Sequence, residues 1–146
     1  NDDCVNAIID KCVEADGILF TSPVYHGGIS GNMKCVLDRM MLAAGCGENK
    51  FAHKVAGALC TLRRSGGLAT YEQLLGAIGA FEMLLVTADY WGAVHGAEKG
   101  EALQDIEGVE VTEKLARNMA WTVKMVAETK VEKPHTEHRT MFNYIR

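Results

Sequence analysis

The sequence predicts an α/β domain, a doubly wound parallel sheet with helices on both faces, and three features of its 146 residues carry that prediction. Short apolar runs without polar alternation read as strands buried on both faces, as in parallel sheets. Between them lie segments with the three-to-four-residue apolar period of amphipathic helices. Glycine-rich breaks separate the two kinds of segment. The resulting order is α-β-α-β-α-β-α, the alternation that builds a covered parallel sheet.

Each element has its own signal. Val5, Ile8, Ile9, Cys12 and Val13 form one helical face, with Asp2 or Asp3 available as N-cap. Gly17 breaks it, and Ile18-Leu19-Phe20 is the first buried strand, stopped by Ser22-Pro23. Gly27, Gly28 and Gly31 then mark a flexible loop. The helical period returns from Asn32 through Met33, Val36, Leu37, Met40 and Met41, and ends at Gly45-Cys46-Gly47. Val55 to Cys60 is the second strand, followed by a loop from Thr61 to Gly67. Thr70 and Gln73 have capping-box spacing ahead of Leu74, Leu75 and Ile78. Met83 to Val86 is the third strand, and the stretch from Asp89 to Gly108 is irregular and polar. A last helix starts near Thr112 and turns Leu115, Met119, Thr122, Val123 and Val126 inward. Residues 1–130 read as the C-terminal portion of the domain and residues 131–146 as a charged tail. We expect a β-α-β-α segment of roughly 60 to 80 residues upstream, because a doubly wound sheet carries its first strand in the middle.

Composition narrows the function classes. A formal net charge of −4 repels a phosphate backbone, which argues against nucleic acid as partner. No apolar run approaches the roughly 18 residues of a membrane span, and Asn1-Asp2-Asp3 does not open a signal peptide. The five cysteines lack metal-ligand spacing, so they read as reduced, mostly buried thiols of a cytoplasmic protein.

Ligands of open α/β sheets sit beyond the carboxyl ends of the strands. Two loops fall there. The loop from Ser22 to Asn32, opening with Ser22-Pro23-Val24-Tyr25-His26-Gly27-Gly28, joins a rigid proline, an aromatic and glycines, a composition that brings backbone groups against a flat ligand. Thr61, Arg63, Arg64, Ser65, Gly66 and Gly67 offer hydroxyls, guanidiniums and backbone amides to ribityl hydroxyls, a phosphate or the charged part of a second nucleotide.

Asp16-Gly17-Ile18-Leu19-Phe20-Thr21-Ser22-Pro23-Val24-Tyr25, with Gly27, Met33-Lys34 and Leu37-Asp38-Arg39, resembles the NADPH-dependent FMN reductase family. These are flavodoxin-like proteins related to iron–sulfur flavoproteins. The Ser65-Gly66-Gly67 loop and the stretch from Trp91-Gly92 to Asp105-Ile106-Glu107-Gly108 extend the resemblance over residues 3 to 128. It implies a bound FMN reduced by NADH or NADPH, with flavin, quinone or another small molecule as acceptor. It also implies that Ser22, Pro23, Val24, Tyr25, His26 and Gly27 border one side of the flavin. Thr61, Arg63, Ser65, Gly66 and Gly67 border the other. The family's phosphate-binding loop follows a first strand that these residues do not include. No acid–base residue is demanded, since the flavin performs the redox chemistry, and no cysteine cluster suggests an iron–sulfur centre. Homodimers or homotetramers are implied, and the Met141-Phe142-Tyr144-Ile145 end suits such a contact. The alternatives are an electron-transfer module that holds FMN and a cofactor-free interaction protein of the same fold.

Single residues have plainer readings beside these. His26 suits a solvated loop position, and one of the adjacent Arg63 and Arg64 can face water. His95, near Trp91, reads more simply as solvated than as facing substrate. His135 and His138, beside Glu137 in the charged tail, read as solvated rather than as metal ligands.

Overall fold

The computed structural model describes residues 3–46 and 48–135. A sheet runs through the middle, with α1 (Val5–Glu14), α2 (Gly31–Met40) and α3 (Gly67–Ala80) against one face and α4 (Ile106–Glu128) on the other. Strand β3 (Val55–Leu62) is central and buried except at Thr61. It pairs in parallel with β1 (Gly17–Tyr25) from Gly17↔Val55 to Pro23↔Thr61. On its other side it takes β4 (Leu84–Leu85) at its start and β5 (Ala93–His95) at its end, both parallel. A short antiparallel strand, β2 (Gly28–Ile29), folds back on the end of β1.

The core bears out the predicted helical faces except at Ile8, which is exposed. Ile18 and Phe20 of β1 and Ala56, Ala58 and Cys60 of β3 meet Leu37, Met40, Leu74 and Ile78 from the helices. Phe81 closes this layer, stacked on Phe20 at 6.4 Å between centroids and edge-on to Phe51 at 5.1 Å. Ile9 of α1 is buried with them. Cys4 occupies the N-cap of α1. Asp3, expected there, lies one residue earlier, accepts from the Val5 amide, and clamps Arg39 of α2 with bonds of 2.7 and 2.6 Å. Asp2 lies outside the described residues.

Several expectations are corrected. Pro23 does not stop β1, which continues to Tyr25. The Val55 amide donates to Asp16 O, so the peptide groups of Asp16, Ile18, Phe20 and Ser22 face β3 and those of the intervening residues face the other edge. Pro23 therefore places its missing N–H where no bond to β3 is lost. Nor is β1 buried on both faces: Leu19 is 43% exposed, because α4 lies over β3 and covers β1 only at its margin. Gly27 and Gly28 belong to a β-hairpin rather than a flexible loop.

The sheet has five strands among the described residues, not three. The third predicted strand shrinks to Leu84–Leu85, and the irregular segment contains β5 and a short 3-10 turn at Glu101–Gln104. Thr70 does not cap α3: it lies inside the helix, and its hydroxyl donates to Gly66 O at 2.9 Å. The helix starts earlier because Gly66, at φ +88°, turns the chain into it. Likewise α4 starts at Ile106 rather than near Thr112, since Asp105 caps it through the Gly108 amide at 3.1 Å.

Only Cys60 of the five cysteines is buried; Cys4, Cys35 and Cys46 are exposed and Cys12 is half-buried. Their places at a helix start, on the outer side of α2 and after a π-helical turn (Met41–Gly45) account for that. No helix among the described residues is long and apolar enough to cross a membrane. The Met141-Phe142-Tyr144-Ile145 end, Glu137 and His138 lie outside the described residues, and His135 is exposed.

Candidate functional site at the carboxyl ends of the strands

The first predicted loop is held as a hairpin by local chemistry. His26 (φ 50°) and Gly27 (φ 77°) both adopt the left-handed conformation, as the two central residues of a tight primed turn must. Ser22 is buried, and its hydroxyl is used twice: it donates to Pro23 O at 2.9 Å and accepts from the Ser30 amide at 3.0 Å. Ser30 in turn caps α2 by accepting from the Met33 amide. Gln73 of α3 reaches across and accepts from the Ile29 amide at 3.2 Å. The tip, Tyr25-His26-Gly27, is thus exposed but fixed at its base.

The second predicted loop packs directly against this hairpin. A Cβ on Gly66 would stand 2.8 Å from Gly27 Cα and 3.0 Å from Val24 Cγ1. Two glycine backbones in contact are what bring the loops together. Arg63, Arg64 and Ser65 remain exposed above them. Gly67 is buried under Leu62 and supports the turn rather than lining it. Pro23 and Thr61 are side by side in register, on the sheet face toward α4, along a groove of about 440 Å³. The structure therefore gathers Val24, Tyr25, His26, Gly27, Arg63, Ser65 and Gly66 at one end of the sheet. Ser22 and Gly67 lie beneath them, and Pro23 and Thr61 face the α4 side.

A third segment joins this end. Residues 86–92 connect β4 to β5 while only residues 57–59 of β3 lie opposite, so the surplus chain bulges outward. The bulge is tied to α4 by an ion pair between Asp89 and Lys114 and by Asn118 Nδ2 donating to Thr87 O at 2.8 Å. The ion pair's hydrogen bond also holds the Asp89 carboxyl below its ordinary range. At its tip Tyr90 and Trp91 lie 4.5 Å apart between centroids, tilted by 52°. They line a cleft of about 270 Å³ with Arg64, Ser65 and His95.

Asp105 organises the far wall of that cleft. It accepts from the His95 amide at 2.7 Å, and its Oδ2 lies 3.3 Å from His95 Nδ1. These backbone hydrogen bonds, the His95 amide first and the Gly108 amide next, hold its carboxyl below the ordinary range. The sequence reading gives Tyr90 and Asp105 no role at this site, and its capping-box reading of Gln73 is replaced by the bond to Ile29. The one local signal was an aromatic pair inside a polar stretch. A wider apolar groove of about 600 Å³ lies at the opposite end of the sheet, near His53, Leu84 and Met125, and holds none of the predicted residues. Among the described residues no group of three or more His, Cys, Asp or Glu side chains is placed to hold a metal ion.

Comparison with known proteins gives the family and the fold. Residues 1–98 match the model of the NADPH-dependent FMN reductase family. An iron–sulfur flavoprotein of Methanocaldococcus jannaschii is 33% identical over 132 residues, covering 85% of this chain and 67% of that protein. One of Archaeoglobus fulgidus is 31% identical over 120 residues, covering 79% of this chain and 60% of that protein. A flavodoxin, WrbA-like protein of Agrobacterium tumefaciens superposes with a TM-score of 0.57 at 22% identity, over 75% of this chain and 71% of its own. The fold is therefore α/β and flavodoxin-like. The chain belongs to the NADPH-dependent FMN reductase family.

Proposed function

We propose that this end of the sheet binds FMN in an oxidoreductase that takes a hydride from NADH or NADPH and passes electrons to flavin, quinone or another small acceptor. The contact between Gly27 and Gly66 carries this reading. It joins the two loops that the family resemblance assigns to the borders of one flavin. The donor set fits such a ligand. Tyr25 offers an exposed aromatic face at the hairpin tip, and Arg63 and Ser65 offer a cation and a hydroxyl beside it. The absence of a side chain at the exposed Gly27 would let a ring approach the main chain there.

When bound, the flavin supplies the two-electron redox chemistry, and the protein positions and shields it. In that division of labour Ser22 and Gln73 hold the hairpin at the angle its tip requires. Gly66 sets the spacing between the loops, and Arg63 contributes positive charge at the rim.

The test is an ultraviolet–visible spectrum of the protein after incubation with FMN and removal of the excess. Retained flavin absorbance that bleaches with NADPH under anaerobic conditions supports the reading. Flavin that stays unbleached with either nicotinamide nucleotide replaces the reductase by a carrier, and a protein that stays colourless with the upstream strand and phosphate loop present overturns FMN binding.

A further inference from the structure

The cleft between the β3–α3 loop and the start of α4 has the marks of a separate binding site. At about 270 Å³ it lies just under the range of roughly 300 to 1,000 Å³ that encloses drug-sized ligands, so one or two fused rings fit and a whole dinucleotide does not. Tyr90, Trp91 and Leu68 stand at its rim, 55%, 50% and 48% exposed, contiguous apolar surface with no covering element among the described residues.

One polar group is held in place within this apolar frame. His95 Nδ1 faces Asp105 Oδ2 at 3.3 Å, and Asp105 is itself fixed by the His95 and Gly108 amides. A carboxylate so placed keeps the imidazole proton on Nδ1 and leaves Nε2 as the outward nitrogen. Among the described residues Nε2 makes no hydrogen bond. Neutral, it accepts from a hydroxyl; protonated, it donates to a carbonyl. Glu107 on α4, Arg64 on the β3–α3 loop and the Tyr90 hydroxyl are the other ionisable groups lining the cleft.

We propose that this cleft binds a one- or two-ring aromatic molecule bearing a hydroxyl or carbonyl oxygen, with His95 Nε2 bonded to that oxygen and Tyr90 and Trp91 against the ring. A quinone and its hydroquinone differ by two electrons and two protons, and the two protonation states of His95 match their two oxygens in turn. The cleft is thus the acceptor site of the proposed oxidoreductase. That assignment rests on the reading above, whereas the binding site stands on its own geometry. It shares Ser65 and Gly67 with the loop proposed to border FMN, so the two ligands would be neighbours.

The test uses β-naphthol, which is redox-inert, and its methyl ether, which keeps the rings but cannot donate a hydrogen bond. Each is titrated calorimetrically into the full chain, and nitrogen-15 spectra of the imidazoles follow His95. We expect β-naphthol to bind at one site and shift the His95 Nε2 resonance. The methyl ether, and β-naphthol with His95→Phe, should each bind about fivefold more weakly, as loss of one neutral hydrogen bond implies. An unmoved His95 resonance in the wild-type chain overturns the site, whether or not the variant folds. Equal affinity of a folded His95→Phe protein for β-naphthol does the same. The FMN spectrum of the same preparation separates the two readings. Naphthol bound at His95 without flavin retention removes the acceptor role and leaves the site. Flavin retention with His95 unmoved removes the site alone.

Discussion

Gly66 lies against Gly27, and a single methyl group at Gly66 would come within 2.8 Å of the Gly27 main chain. Because Gly66 also has φ +88°, any side chain there meets both a strained backbone and an occupied space. Left-handed backbone costs a non-glycine residue about 1–2 kcal/mol before any clash. Gly66→Ala should therefore lower stability by about 2 kcal/mol and weaken FMN retention at least tenfold. Urea unfolding and flavin absorbance measure the two effects. A variant as stable as the parent, with flavin fully retained, would show that the two loops do not share a ligand.

Asp105 is expected to couple the start of α4 to acidity. Its carboxyl is held below the ordinary 3.8 by the His95 and Gly108 amides, so the unfolded chain takes up the proton more readily than the folded one. The stability it contributes is whole above the unfolded value and is lost as pH falls through the lower folded value. Asp105→Ala should cost about 1 kcal/mol at neutral pH, the usual worth of an N-cap. The difference from the parent should shrink as the pH is lowered below about 4. A stability gap that stays constant across that range would contradict the capping role.

The five thiols should separate by accessibility. Cys4, Cys35 and Cys46 are exposed and should react quickly with a disulfide reagent at pH 8. Burial pushes the Cys12 and Cys60 thiols up, although Lys54 pulls Cys12 partly back. Cys12 should follow slowly, and Cys60 only on unfolding. Rapid modification of Cys60 in the native protein would mean that β3 is not the closed centre of the sheet.

Gly92 holds the bulge in register. Its carbonyl accepts from the Cys60 amide at 2.7 Å, and a Cβ there would collide with Ala58 O and with Leu59 Cδ2. Gly92→Ala should destabilise the protein by about 2 kcal/mol, within the range of overpacked cores. It should also displace Trp91, seen as a shift in tryptophan emission. An unchanged emission maximum and unfolding midpoint would count against the packing of β5 on β3.

Local pattern alone determined that this chain is an α/β protein. Ile9, Leu37, Leu74 and Ile78 are buried as their helical spacing requires, and the apolar run from Val55 to Cys60 is the central strand. Those features are legible because burial of apolar surface dominates folding and depends on periodicity within one segment. The two candidate loops were legible as well, since proline, glycine and aromatic residues at strand ends mark them without any partner. What local pattern could not decide was everything set by a neighbour distant in sequence. Pro23 stays in its strand because its nitrogen faces the edge away from β3. Gln73, matched to Thr70 by spacing, instead bonds Ile29 across the fold. Leu19 is half open because of where α4 crosses the sheet. The Gly27–Gly66 contact and the His95–Asp105 pair likewise exist only once separate elements pack. Tertiary structure decided them because a hydrogen bond or a close approach needs two partners, and sequence spacing specifies only one.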